Sequence, residues 1–124
     1  MKEKKESIEF YPRNRQAWRN WLQKNHATKQ SVWLIMYKKS SGKPTILYNE
    51  VVEEALCFGW IDSVPRKRDA ESSFLYISVR KAKSGWSAVN KKRIEKLIQE
   101  NRMTTAGLQK IEAAKKDGSW SALD

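Results

Sequence analysis

The chain is poor in the residues from which most reactive sites are built. It has one cysteine and one histidine, so no internal disulfide can form and no CxxC or HxxxH spacing exists for a zinc-type site. Neither a metal nor a cofactor is expected. Its five glycines stand apart at 42, 59, 85, 107 and 118, which leaves no Walker-type or dinucleotide-binding loop. The longest apolar runs, Val32 to Tyr37 and Ala55 to Ile61, are far short of the roughly 20 residues that cross a bilayer, so no membrane insertion is expected. No apolar segment follows the start Met1-Lys2-Glu3-Lys4-Lys5; the sequence therefore predicts no secretory leader and a cytoplasmic location.

What the chain does have is positive charge and large aromatic side chains. Lys and Arg number 25 against 14 Asp and Glu, a net +11, which attracts nucleic acid, phosphorylated ligands or acidic surfaces. Mean hydropathy is only −0.78, but six Trp, four Tyr and three Phe bury much area per residue. A length of 124 residues suits one core. The expected organisation is a flexible tail over residues 1–8, one domain over 9–120 and a short tail over 121–124.

Local signals predict four helices and about three strands. Asn14 is a good N-cap for a helix whose Ala17, Trp18, Trp21, Leu22 and Asn25 share a side. Ser31 to Lys38 reads as a central strand ended by the breaker Ser40-Ser41-Gly42-Lys43-Pro44. Asn49 is expected to cap a second helix that buries Val51, Val52, Ala55 and Leu56. Its Glu50, Glu53 and Glu54 are, with Asp62, the candidates for general acid or base work, their bland alternative being solvated acids favoured by the helix dipole, and Gly59 stops it. Trp60 to Val64 and Ser73 to Arg80 read as strands joined by a loop over Arg66 to Glu71, with Leu75, Ile77 and Val79 on one face of the second. Ser87 caps a third helix with Asn90, Ile94, Leu97, Ile98 and Asn101 on one side. Thr104 or Thr105 caps a fourth with a stripe of Leu108, Ile111 and Ala114, ended by Gly118. The order α-β-α-β-β-α-α implies a single α+β domain with a small, mostly antiparallel sheet.

The stretch Ala55 to Ser63, ALCFGWIDS, holds the only cysteine and ends on an acid beside a basic loop. Cys57 as nucleophile would need a lowered pKa or a nearby base; at the end of a helix and flanked by Leu56 and Phe58, it reads instead as core. Asp62 is a candidate acid or base, its bland alternative being a turn or a salt bridge with Arg66 or Arg68. No catalytic residue is assigned. The stronger signal is charge placement. From Ile61 to Arg93 nine cations face three acids, a net +6 that includes Arg66, Arg80, Lys83 and Arg93. Trp86-Ser87 opens the third helix there, and a helix start seats anions. The bland alternative is a solvated basic surface anchored by Trp86.

Three segments, ALCFGWIDS, Trp86 to Ile98 (WSAVNKKRIEKLI) and Arg102 to Trp120 (RMTTAGLQKIEAAKKDGSW), together resemble the YdeI/OmpD-associated family. AWRNWLQKNH, VWLIMYKKSSGKP and YNEVVEEAL resemble it in the same order, so the likeness covers about residues 10–120. The chain departs from the family's Arg-Phe-x-Pro-Arg pattern between Asp69 and Lys83, where Val79-Arg80-Lys81 lacks the proline. The resemblance implies a small bacterial protein linked to bacteriocin protection or resistance to cationic antimicrobial peptides, with no catalytic residues to carry over. A +11 protein repels cationic peptides, so an indirect cytoplasmic role is expected.

The expected function is non-catalytic binding of an anionic small molecule or a phosphate-bearing partner. The candidate ligand residues are Trp60, Asp62, Arg66, Arg80, Lys83, Trp86, Ser87, Asn90 and Arg93. One alternative is nucleic-acid binding through basic residues with interleaved aromatics, although no DNA- or RNA-binding motif is present. Another is a small enzyme using Asp62 or Cys57. The oligomeric state is left open.

Overall fold

The Asn14 carboxamide oxygen accepts from the Ala17 N–H at 2.8 Å, and this local bond starts helix α1, Arg15–Asn25. The computed structural model of the protein describes residues 7–124; residues 1–6 of the expected tail lie outside that range. Strand β1 (Glu9–Phe10) precedes α1, and β2 (Ser31–Tyr37) follows it. Helix α2 (Tyr48–Cys57), the hairpin β3 (Trp60–Lys67) and β4 (Ser72–Val79), then α3 (Ala88–Gln99) and α4 (Thr105–Asp117) complete the domain. The described residues form an α+β fold with four α-helices and one mixed sheet.

The sheet has four strands in the order β1-β2-β4-β3, one more than expected. The extra strand is two residues long and runs parallel to β2, pairing Glu9 with Trp33 and Phe10 with Leu34. So short a strand carries no periodicity, and its neighbour Ile8, expected in the tail, accepts from the Trp33 N–H at 2.8 Å. The other pairings are antiparallel. Alternation along β2 and β4 sends Val32, Leu34, Leu75 and Ile77 into the core with Trp18 and Leu22 of α1 and Val51 to Leu56 of α2. The Trp18 indole N–H finds the Val51 carbonyl at 3.0 Å, which pins α1 to α2 and satisfies a buried donor.

Several expectations are corrected. Leu47, rather than Asn49, is the N-cap of α2, and the Glu50 carboxylate accepts from the Leu47 N–H at 3.0 Å; the helix starts two residues earlier because a carboxylate three residues on can satisfy that N–H. Arg66 and Lys67 belong to β3 and pair with Phe74 and Ser73 beyond a register shift between Asp62 and Pro65. That irregularity on an edge strand tolerates a proline that a regular ladder would reject. On α4, Leu108 is 44% exposed and Gly107 takes the buried place, because a side chain there would overlap the Cys57 carbonyl. Thr104 fastens the same junction by donating both its N–H (3.1 Å) and its hydroxyl (2.6 Å) to that carbonyl. Ile98 of α3 also faces solvent. The 121–124 segment is tied back by an ion pair between Lys91 and Asp124.

The largest departure concerns Glu53 and Glu54, which are buried rather than solvated. Glu54, fully enclosed, accepts from Arg15 Nε at 2.5 Å, Arg19 Nη1 at 2.7 Å and, at 3.4 Å, Arg102 Nη1. Glu53 pairs with Arg15 Nη1 at 2.9 Å and Lys96 at 3.0 Å. Burial alone would raise the Glu53 pKa, but the hydrogen bonds from Lys96 and Arg15 hold it below the ordinary carboxylate value. The cluster ties α1, α2 and the α3–α4 connection together.

Candidate anion site at Arg80

Arg80 is the first residue beyond β4, and its N–H donates to the Gly59 carbonyl at 3.0 Å, which extends the β3–β4 pairing by one residue. Only 6% of it is exposed. The guanidinium lies on the Trp86 ring, 3.7 Å from the centroid, and Trp86 in turn packs on Trp120 at 5.1 Å. Nη2 donates to the Gly85 carbonyl at 2.9 Å and to the Ser84 hydroxyl at 3.1 Å. Ser84 Oγ itself donates to the Lys81 carbonyl at 2.8 Å, so its lone pairs are free to receive the arginine. All these partners are neutral. Among the described residues no carboxylate lies within ion-pair distance of Arg80, and burial lowers its pKa.

Arg80 lines a cavity of about 70 Å³, room for several waters or one phosphate-sized group. Arg80, Lys81, Lys83 and Lys110 bring four cations to it and Asp117 a single acid. The Asp117 carboxyl, exposed and hydrogen-bonded by the Ser119 hydroxyl and N–H, is held below its ordinary pKa. It stays charged, and the local balance stays positive. Lys83 sits at φ +66, the turn that brings the chain from Arg80 round to Trp86.

The expected site residues thus divide among several places. Arg80, Lys83 and Trp86 come together. Trp60 is core, 1% exposed and edge-on to Trp21 at 5.8 Å. Asp62 accepts from the Tyr48 hydroxyl at 2.7 Å, a bond that, with burial second, raises the Tyr48 pKa. The expected Asp62 pairing with Arg66 or Arg68 is not made: Arg66 stacks on Trp33 at 4.4 Å on the opposite face of the sheet, and Arg68 pairs with Asp69 at 3.1 Å. Ser87 Oγ is engaged in capping α3 by accepting from Asn90 N–H at 3.1 Å. Arg93 bridges helices, donating to Asn90 Oδ1 at 2.8 Å and Asn49 Oδ1 at 2.7 Å. Neither Ser87, Asn90 nor Arg93 lines the Arg80 cavity.

Lys110, Ser84 and Asp117 complete the cavity without having been singled out in the sequence. Ser84 was within reach of inspection, four residues from Arg80 in a turn. Lys110 comes from a helix 30 residues on and carries no local signal. Cys57 is sealed, and burial, reinforced by the charge of Glu54, pushes its thiol up to about 11. It is protonated at neutral pH and is not poised as a nucleophile. Among the described residues no group of three or more His, Cys, Asp or Glu is gathered as a metal site, and no helix is long and apolar enough to cross a membrane.

No curated protein and no solved structure matches the chain. Residues 10–110, which include Arg80, Lys83, Trp86 and Lys110, match the model of a family described as a domain of unknown function, DUF8412, and the chain belongs to that family.

Proposed function

We propose that the protein is a cytoplasmic, non-catalytic binding protein whose ligand presents a phosphate or carboxylate to Arg80. One observation carries this reading: a buried guanidinium without a counter-anion, beside a cavity surrounded by further cations. Removing a charge from water costs several kcal/mol unless an opposite charge compensates, and neutral carbonyls and a ring face compensate only in part. A bound anion would supply what the fold leaves out. The placement with bacterial proteins of the YdeI/OmpD-associated kind rests on the sequence resemblance alone, and the +11 charge favours an indirect part in peptide resistance over capture of cationic peptides.

Thermal unfolding with inorganic phosphate tests the reading. Phosphate at millimolar concentration raises Tm saturably, beyond chloride at equal ionic strength, as binding to the native state alone requires. Arg80→Gln abolishes the increment. An equal increment in the variant would defeat the proposal.

A second reading, nucleic-acid binding, has its own support on the far face of the sheet. Trp33, Phe74 and Tyr76 cluster there with ring centroids 4.7 to 5.9 Å apart, and Arg66 and Arg68 lie over Trp33 and Phe74. Stacking rings beside cations suit single strands. Filter binding of a single-stranded probe at low salt tests it: retention that falls steeply with salt and is lost in Arg66→Ala supports it, and no retention rejects it.

A further inference from the structure

We infer that the ligand of Arg80 carries its negative group on a flat, largely apolar body, and that this body lies in the open cleft between the end of the sheet and α4. The inference rests on the anion-binding reading and adds the chemical class. The cleft encloses about 350 Å³, within the range of about 300–1,000 Å³ common for small-molecule sites. Phe58, Trp60 and Val79 form its apolar lining with Ala106, while Lys110 and Ala113 line both the cleft and the Arg80 cavity.

The junction follows from the backbone. Trp60 and Val79 are paired at the end of the β3–β4 ladder, and Gly59 and Arg80 are the next residue out on either strand. Gly59 has φ +78, and a Cβ there would come within 2.7 Å of Lys110 Cγ. Only glycine lets the lysine stem lie across that position. Lys110 Nζ then donates to the Arg80 carbonyl at 3.2 Å, so one lysine reaches from the aromatic cleft to the cationic cavity.

Polarity along this path is one-sided. Arg80, Lys83 and Lys110 gather at one end, and no carboxylate lines the cleft. At the cleft, His26 Nδ1 lies 2.8 Å from the Leu22 carbonyl, which must accept from it; in the neutral ring Nε2 is then an acceptor. The imidazole packs on Phe58 at 5.0 Å, and the Gln109 carboxamide joins the rim. Acceptors and donors at an edge around an apolar cleft, backed by the buried Phe58 and Trp60, suit an aromatic or heterocyclic ring. The shared chemistry is that of an aromatic phosphate or carboxylate, whether a nucleotide or an aromatic acid.

Isothermal titration of the whole protein with inorganic phosphate and phenyl phosphate tests this, with AMP read against phosphate and benzoate against acetate to separate the two sources. Phenyl phosphate is expected to bind at least tenfold tighter than inorganic phosphate. Whichever of AMP and benzoate gains more over its ring-free counterpart identifies the source. Ala106→Leu, which fills the cleft, and Gln109→Trp, an exposed position that blocks its rim without straining the core, each reduce the gain to under twofold and leave inorganic phosphate binding unchanged. Equal affinity for phenyl and inorganic phosphate, or a gain that survives both variants, overturns the inference and leaves the anion site standing. Absence of inorganic phosphate binding, or binding that survives Arg80→Gln, overturns the anion site itself.

Discussion

Two places in this small domain hold guanidinium groups partly or wholly away from water, and they differ in the supply of negative charge. Arg15 and Arg19 converge on Glu53 and Glu54 with bonds of 2.5 to 2.9 Å, and Lys96 and Arg102 close the set. The Arg15 and Arg19 pKa values are raised: burial opposes this, but hydrogen bonds and charge from Glu54 outweigh it. Arg80 is more deeply buried and has no acid, and that burial lowers its pKa. In the first cluster every guanidinium reaches a carboxylate, and the cluster holds the fold without a ligand. A cluster left with surplus charge is where a ligand gains most, and such imbalance is a physical marker of sites.

The comparison can be broken by removing one charge from each cluster. Glu54→Ala leaves Arg19 without a carboxylate and Arg15 with Glu53 alone, and should cost about 3 kcal/mol of stability, read as a lower urea midpoint. Arg80→Met keeps much of the packing on Trp86 and removes a charge that has no partner; it should cost less than about 1 kcal/mol. Equal losses would erase the distinction.

Gly107→Ala should cost about 2 kcal/mol, since the methyl group overlaps the Cys57 carbonyl and α4 must shift. The same urea titration measures it, and a loss below about 0.5 kcal/mol would mean that α4 is not seated against α2 as described.

The paired cluster also sets a pH response. Because the folded Glu53 pKa lies below its unfolded value, its contribution is present above the unfolded carboxylate value of about 4.3 and is lost as pH falls through the folded one. Stability measured between pH 6 and 3 should fall, and Glu53→Gln should flatten the fall. A slope unchanged in the variant would remove Glu53 from the account.

The smallest effect is expected at the rim. Lys83→Ala removes an exposed cation from the Arg80 cavity and should weaken phosphate binding about two- to fivefold, in line with a screened surface charge, with no change in Tm without phosphate.

Features set by neighbours in sequence were legible before the fold was known. The Asn14, Ser87 and Thr104 caps each close on an N–H three residues ahead, and the Leu75-Ile77 face of β4 follows from simple alternation. Features set by distant partners were not. Glu53 and Glu54 look solvated until Arg15 and Arg19, 35 to 39 residues earlier, are placed over them. Leu108 fits a helical stripe as well as Ile111 does, yet the close approach of α4 to the Cys57 carbonyl turns Gly107 inward. The segment from Ile61 to Arg93 was correctly read as basic, and Arg80, Lys83 and Trp86 do meet. Lys81 joins them at the cavity, while the other cations of the segment lie on β3, the residue after it and α3, because a run of charge in sequence does not say which side of a hairpin each residue takes.

The direct test of the central claim is two-dimensional NMR of the arginine Nε–Hε resonances during titration with inorganic phosphate. The Arg80 resonance should move saturably with a one-site dependence, while Arg15 and Arg19, already paired with Glu53 and Glu54, stay in place. An Arg80 resonance that does not move, or that drifts linearly together with the paired arginines, would contradict it.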